Sequence, residues 1–265
     1  LQRLIQQPQI SNNDKEKLEV IYRNANRMNY LINELLTFSK IEMKQMHISV
    51  RKGDIMHFLE ELSHIFDIVA GEREIDFIVS LEDTKEEVWF SPSKLERILY
   101  NLLSNAFKYT QPGGYVRLSA KLIKEEKETM VQISVKDSGR GIPKDVQEQI
   151  FESYYQVEKR DHREGFGLGL SLTRSLIHMH KGEIRVESEV NKGSDFIVTL
   201  NVSEDAYAPD ERSSENITTE EIQKYNQRIK ETIELIPEKL TNKEKDSGRE
   251  SIMIVEDNKE MLSLI

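Results

Sequence analysis

The sequence predicts an α+β architecture, a two-layer α/β sandwich preceded by a helical-hairpin segment. Three observations lead there. A heptad-spaced helix occupies residues 14–44, the pattern changes at Ile48 to short strands mixed with helices, and one long amphipathic helix, ending near Tyr109, is embedded among those strands.

In the first region, residues 1–6 read as the end of a helix, and QQPQISNND is a polar break carrying Pro8. In the helix that follows, Leu18, Ile21, Ala25, Met28, Ile32 and Leu35 alternate spacings of three and four, a seam that calls for a partner helix. Leu31, Leu36, Phe38 and Ile41 add a second apolar flank, so a four-helix bundle made by dimerising a hairpin is expected; the alternative is a helix packed on its own domain. From Ile48, a strand begins in HISVRKGDI, residues 56–70 read as a helix, and IDFIVSLE as a strand. Ser91 is placed to cap the next helix with Pro92 at its first position, or Ser93 and Glu96 to form a capping box. Strands are expected at 115–123, 130–136, 183–189 and 196–202, with a charged hairpin, KEEKE, between the first two.

Residues 204–250 are polar and charged, and Ile222, Tyr225, Ile229 and Ile233 keep helical spacing, so a linker with one short helix is expected. Asn216-Ile-Thr218 matches a glycosylation acceptor but is discounted for a linker that never meets that machinery. The last fragment, SIMIVEDNKEMLSLI, is an apolar strand ending in Glu256 and Asp257 and followed by a new helix. The domain plan is thus 1–46, 47–203, 204–250 and 251–265.

Composition narrows the chemistry. The 265 residues are 32% charged and 37% hydrophobic, without cysteine and with a formal charge of −10. No segment has the roughly eighteen apolar residues needed to span a bilayer, and the N-terminus is no secretory signal, so a soluble, reducing setting is expected. Without cysteine there is no disulfide, thiolate metal site or thiol nucleophile. The acidic balance argues against general nucleic-acid binding, and a polyanionic ligand must find locally arranged donors.

Those donors lie in four ordered blocks: NLLSNAFKYT (101–110), DSGRGIP (137–143), IFESYYQ (150–156) and GFGLGL (165–170). Asn101, Asn105 and Lys108 share one helix face, with Leu95, Leu99, Leu102 and Ala106 toward the sheet. Asp137 closes a strand and precedes two glycines, Gly139 and Gly141, that permit close backbone approach; an ordinary turn has the same composition. Gly165, Gly167 and Gly169, with Leu168 among them, open a helix over 170–178 and can turn backbone amides toward an anion. Between the blocks, QVEKRDHRE reads as a mobile lid, with Lys159, Arg160, His162 or Arg163 as phosphate contacts and Phe151 and Tyr154 packing at its base. No Rossmann fingerprint and no GxxxxGK[ST] loop is present.

The four blocks resemble the N, G1, F and G2 boxes of the ATPase and kinase superfamily (GHKL, or Bergerat fold) that includes gyrase, Hsp90, MutL and histidine kinases, and the chain looks like a sensor histidine kinase. The resemblance implies ATP and Mg²⁺ as ligands: Asn105 on the metal, Lys108 and Arg163 on phosphates, Tyr109 near the nucleoside, Asp137 on the adenine amine, and the glycines around the phosphates. Hydrolytic members carry a water-activating glutamate where this chain has Asn101, which favours transfer to a histidine. None of His47, His57, His64, His162, His178 or His180 lies in an acceptor block, so the acceptor is expected before Leu1. His57 and His64 read as partly buried packing residues. The final fragment resembles the first strand of a receiver domain. The resemblance further implies a homodimer, a receiver partner, and a place on the cytoplasmic side of the inner membrane, reached through upstream regions. The rival readings are a non-catalytic nucleotide-sensing module and an ATP hydrolase.

Overall fold

The computed structural model describes residues 12–126, 128–155 and 167–233. The expectations for 1–11, for the lid at 156–166 and for 234–265 lie outside the described residues. The first helix, α1 (Asn12–Glu42), is followed by β1 (Arg51–Asp54), α2 (Ile55–Ser63), α3 (Ile65–Arg73), β2 (Asp76–Leu81), β3 (Glu87–Phe90) and α4 (Pro92–Tyr109). Then come β4 (Tyr115–Lys124), β5 (Thr129–Asp137), two single-turn 3₁₀ segments, α5 (Gly169–Met179), β6 (Glu183–Glu189), β7 (Gly193–Asn201), a third 3₁₀ turn and α6 (Thr219–Ile233).

Five strands form one sheet in the order β2-β4-β5-β7-β6, parallel only between β2 and β4; β1 and β3 pair antiparallel beside it. Burial alternates along β4 and β5, with Val116, Leu118, Ala120, Val131, Ile133 and Val135 inward, so the helices cover one face and the fold is two-layered. On the helical side Leu95, Leu99, Leu102 and Ala106 of α4 are buried as their spacing predicts. Phe107 stacks on Phe66 of α3, 5.6 Å between centroids and 12° between planes, and meets Phe77 of β2 edge-on at 5.3 Å.

The structure differs from expectation at four places. The helix expected over 56–70 is broken at His64, where the Ser63 hydroxyl donates to the Glu60 carbonyl at 2.7 Å and competes with the helical ladder. His57 and His64 are exposed, because Ile55, Phe58, Leu59 and Leu62 fill the inner face of α2. The Ser91 side chain makes no cap bond and α4 starts at Pro92, ahead of any Ser93–Glu96 box; the Ser91 N–H instead donates to Nε2 of His180 at 3.2 Å. In α1 the seam residues Ile21, Met28, Ile32 and Leu35 are 52%, 64%, 48% and 51% exposed, the side a partner helix would occupy, while Phe38 and Ile41 of the second flank pack on the domain and Leu36 does not.

The stretch read as a linker is docked on the domain at Tyr207, at 211–213 and along α6, with exposed residues between. Val50 and Arg212 form a parallel bridge, with Val50 N–H to Glu211 O at 2.8 Å and Ser213 N–H to Val50 O at 2.9 Å. The Tyr207 hydroxyl donates to Asn201 O at 2.6 Å, and α6 sinks Ile222, Tyr225 and Ile229 into the main core. Three apolar side chains on one face of α6 suffice to hold an otherwise charged helix down.

Candidate nucleotide site

The middle of α4 carries the amides. Asn101 is buried, and its Nδ2 donates to Gly169 O at 2.5 Å and to the Thr173 hydroxyl at 2.8 Å; Thr173 in turn donates to Gly169 O at 2.9 Å. Its carboxamide therefore ties α4 to the first turn of α5, and Gly169 has no room for a side chain against it, since an added Cβ would stand 2.8 Å from Asn101 Oδ1. One and two turns further on, Asn105 and Lys108 are half-buried. The Lys108 Nζ lies 4.9 Å from the centroid of the Tyr109 ring, and the Arg140 guanidinium approaches the same ring at 4.5 Å. Tyr109 is thus held between cations of the first and second blocks.

At the end of β5, Asp137 is buried and its Oδ1 accepts the Gly139 N–H at 2.8 Å. Desolvation pushes its carboxyl up to about 6, against backbone donors of Gly139 and Ser194 that favour the charged form and a nearby Asp195 that does not. A Cβ at Gly139 would meet Tyr109 O at 2.5 Å, and Gly141, at φ +68°, would drive one into the Glu189 carbonyl. The glycines thus let the turn close against both α4 and β6.

The third element begins at Gly167, φ +69°, whose carbonyl accepts the Tyr154 N–H at 2.9 Å. Leu168 is buried and sits at the N-cap of α5 without a side-chain cap, leaving the helix-terminal amides for another acceptor. Gly165, Arg163 and the other basic residues of that segment lie outside the described residues. Of the aromatic pair expected to pack at its base, Phe151 is buried and meets Phe196 edge-on at 6.4 Å, whereas Tyr154 is 60% exposed.

The fold therefore brings Asn101 to Gly169, and Tyr109 to Gly139 and Arg140, at opposite ends of the same stretch of α4. Two contributors went unread in the sequence: Arg140 and Thr173. Thr173 sits one turn after Gly169 and could have been found as a hydroxyl on the same helix face. Among the described residues no group of three or more His, Cys, Asp and Glu side chains could hold a metal. A divalent cation suits this donor set only as an amide-ligated ion whose charge is met by the ligand's own phosphates, a chemistry that Asn105 fits.

Residues 90–204 match the family described as histidine kinase-, DNA gyrase B-, and HSP90-like ATPase. The chain is 32% identical over 259 residues to histidine kinase P4 of Formosa agariphila, covering 94% of this chain and 18% of that protein. It is 34% identical over 190 residues to sensor histidine kinase WalK of Bacillus subtilis, covering 71% of this chain and 31% of that protein. The chain spans less than a third of the length of either relative. Its fold is similar to that of full-length ShkA solved with AMPPNP, with a TM-score of 0.65 at 23% identity over 76% of this chain and 42% of that one. With the blocks set on α4, at the end of β5 and at the start of α5, residues 90–204 form a GHKL ATP-binding domain of the histidine kinase kind, similar to that of the sensor histidine kinases named above.

Proposed function

We propose that this chain is the ATP-binding catalytic region of a hybrid sensor histidine kinase, which transfers the γ-phosphate of ATP to a histidine on a dimeric helical hairpin and onward to a receiver aspartate. The observation that carries the reading is Asn101, whose amide nitrogen donates to Gly169 and Thr173 where hydrolytic members of the superfamily carry a glutamate. An amide is no general base, and here it is a strut, so water activation has no group at that position. Asp137 selects the adenine amine, Lys108 offers a point charge to phosphates, and the open first turn of α5 adds amide donors. Mg²⁺, held by Asn105 together with phosphate oxygens, would neutralise charge on the moving phosphoryl group. The exposed seam of Ile21, Met28, Ile32 and Leu35 supports a second copy as partner. Among the described residues no helix is long and apolar enough to cross a membrane, and attachment to the inner membrane on its cytoplasmic side would be made elsewhere in the polypeptide.

Calorimetry with ATP, with and without Mg²⁺, tests the pocket: binding is expected to need the metal and to lose that dependence in Asn105→Ala. Undiminished metal-dependent binding by Asn105→Ala would remove the assigned ligand. Supplying the acceptor helix and labelled ATP should yield phosphohistidine, and its absence with intact ATP binding would leave a nucleotide-sensing module.

A further inference from the structure

Helix α6 lies against α1, α2, α3 and α4 together. Its start is fixed by a fork of Arg51 on Glu221, with Nη1 to Oε2 at 2.7 Å and Nη2 to Oε1 at 2.5 Å, and the Tyr225 hydroxyl donates to the same carboxylate at 3.0 Å. Just upstream Ile217 lies over Gly53 of β1, where a Cβ would come within 2.7 Å of its Cδ1. Ile222, Tyr225 and Ile229 are 5%, 4% and 1% exposed, and Tyr225 meets Phe58 of α2 edge-on at 5.9 Å. At the far end the Tyr100 hydroxyl donates to Thr232 O at 3.3 Å.

The same outer face of α4 holds α1. Arg97 Nη1 donates to the Thr37 hydroxyl at 2.8 Å, and Glu34 of α1 is buried beside Tyr100. Tyr100 thus touches α6 and faces α1, while the next residue, Asn101, is the strut to α5. Against these attachments stands one defect: Asn226 Oδ1 on α6 is buried with no hydrogen-bond partner among the described residues. An element built only to stay in place would carry an apolar side chain there, because a buried unpaired carbonyl weakens docking.

We propose that α6 is a releasable clasp: docked, it holds α1 on the outer face of α4, and when drawn away it frees the catalytic layers to move relative to α1. The occupant of the groove is this chain's own helix, and the pull comes from whatever follows it in the polypeptide. The proposal deepens the kinase reading and rests on it for its consequence, since the ATP-loaded layers must travel to a histidine on the hairpin that α1 belongs to. A docked α6 restrains that travel.

The chain contains no cysteine, so paired spin labels can be placed at will. One pair, Lys224→Cys with Glu60→Cys, reports α6 docking on α2; another, Lys40→Cys with Ser93→Cys, reports α1 against α4; all four positions are exposed. Arg51→Glu and Glu221→Arg each set like charges together and should abolish the narrow distance peak of both pairs, and combining them should restore both peaks. Asn226→Ala should sharpen both. Ile222→Asp with Ile229→Asp charges two buried positions and undocks the helix by a separate route, with circular dichroism confirming that the sheet survives. An undocked α6 with an unchanged α1–α4 distance overturns the proposal, and so does a helix that stays docked in every variant. Failure of the parent chain to bind Mg²⁺-ATP would sink the kinase reading and leave the mechanical coupling standing, so the two are read apart.

Discussion

The ring of Phe38 in α1 meets that of Tyr154 edge-on, 6.1 Å between centroids and 74° between planes. Tyr154 adopts a left-handed backbone, φ 67°, and donates its N–H to Gly167 O at 2.9 Å. The helix outside the sandwich therefore leans on the residue that joins the third block to the fourth. Phe38→Ala should leave global stability within about 1 kcal/mol of the parent, since an aromatic pair this exposed contributes little. Amide exchange at 152–155 should nevertheless accelerate. Unchanged exchange there would mean that the ring contact carries no restraint.

Asp137, proposed as the acceptor for the adenine amine, costs stability when it is ionised. Its carboxyl is raised from 3.8 to about 6 by desolvation, so the fold favours the neutral form. The sign follows: the contribution is present below 3.8 and is lost as pH rises through about 6, a cost of roughly 3 kcal/mol at pH 8. Asp137→Asn should raise the melting temperature of the ligand-free chain at pH 8 while weakening ATP binding. In the parent, ATP affinity should fall below pH about 6, as the acceptor for the adenine amine becomes protonated. A flat affinity profile from pH 5 to 8 would remove Asp137 from adenine recognition.

His180 makes the opposite prediction. It is fully buried, Nδ1 bonds to Leu176 O at 2.9 Å, and Nε2 accepts from Ser91, so the ring is neutral; burial lowers its pKa to about 4. Stability is fully present above 6.5 and declines as pH falls from there through about 4. Denaturant titrations of the parent should show that decline. His180→Ala should lose about 2–4 kcal/mol at pH 7 through its unpaired neighbours and cavity, and with it that part of the acid slope.

Glu96 lies where α1, α4 and α6 meet. Burial raises its carboxyl from 4.5 to about 7, against Arg228 and Arg97, while Tyr100 and Glu34 stand on the same side. Its contribution is therefore present below 4.5 and lost as pH passes about 7. Glu96→Gln should raise the melting temperature at pH 8 and leave it unchanged at pH 4. An equal rise at both values would point to packing rather than ionisation.

Local sequence carried α4, β4, β5 and α5 because their cues are local: Pro92 at a helix start, inward residues at period two, glycines before a helix. The four boxes were legible as motifs for the same reason. What escaped needs the third dimension. His180 is anchored by a backbone amide 89 residues earlier in the chain, while His57 on α2 and His64 at the break before α3, both among apolar neighbours in sequence, turned outward. The polarity of 204–233 concealed its docking, since its buried side chains are few and widely spaced. Asn101 was legible as a residue at a special position, but its engagement with Gly169 and Thr173 depends on how α5 meets α4.

The bridge between Val50 and Arg212 places the strand that enters the sandwich beside the segment that leaves it. Because α1 before that point and α6 after it both pack back onto the body, the chain enters and leaves at one seam, and a load applied to either flank is felt at the same pair of backbone segments.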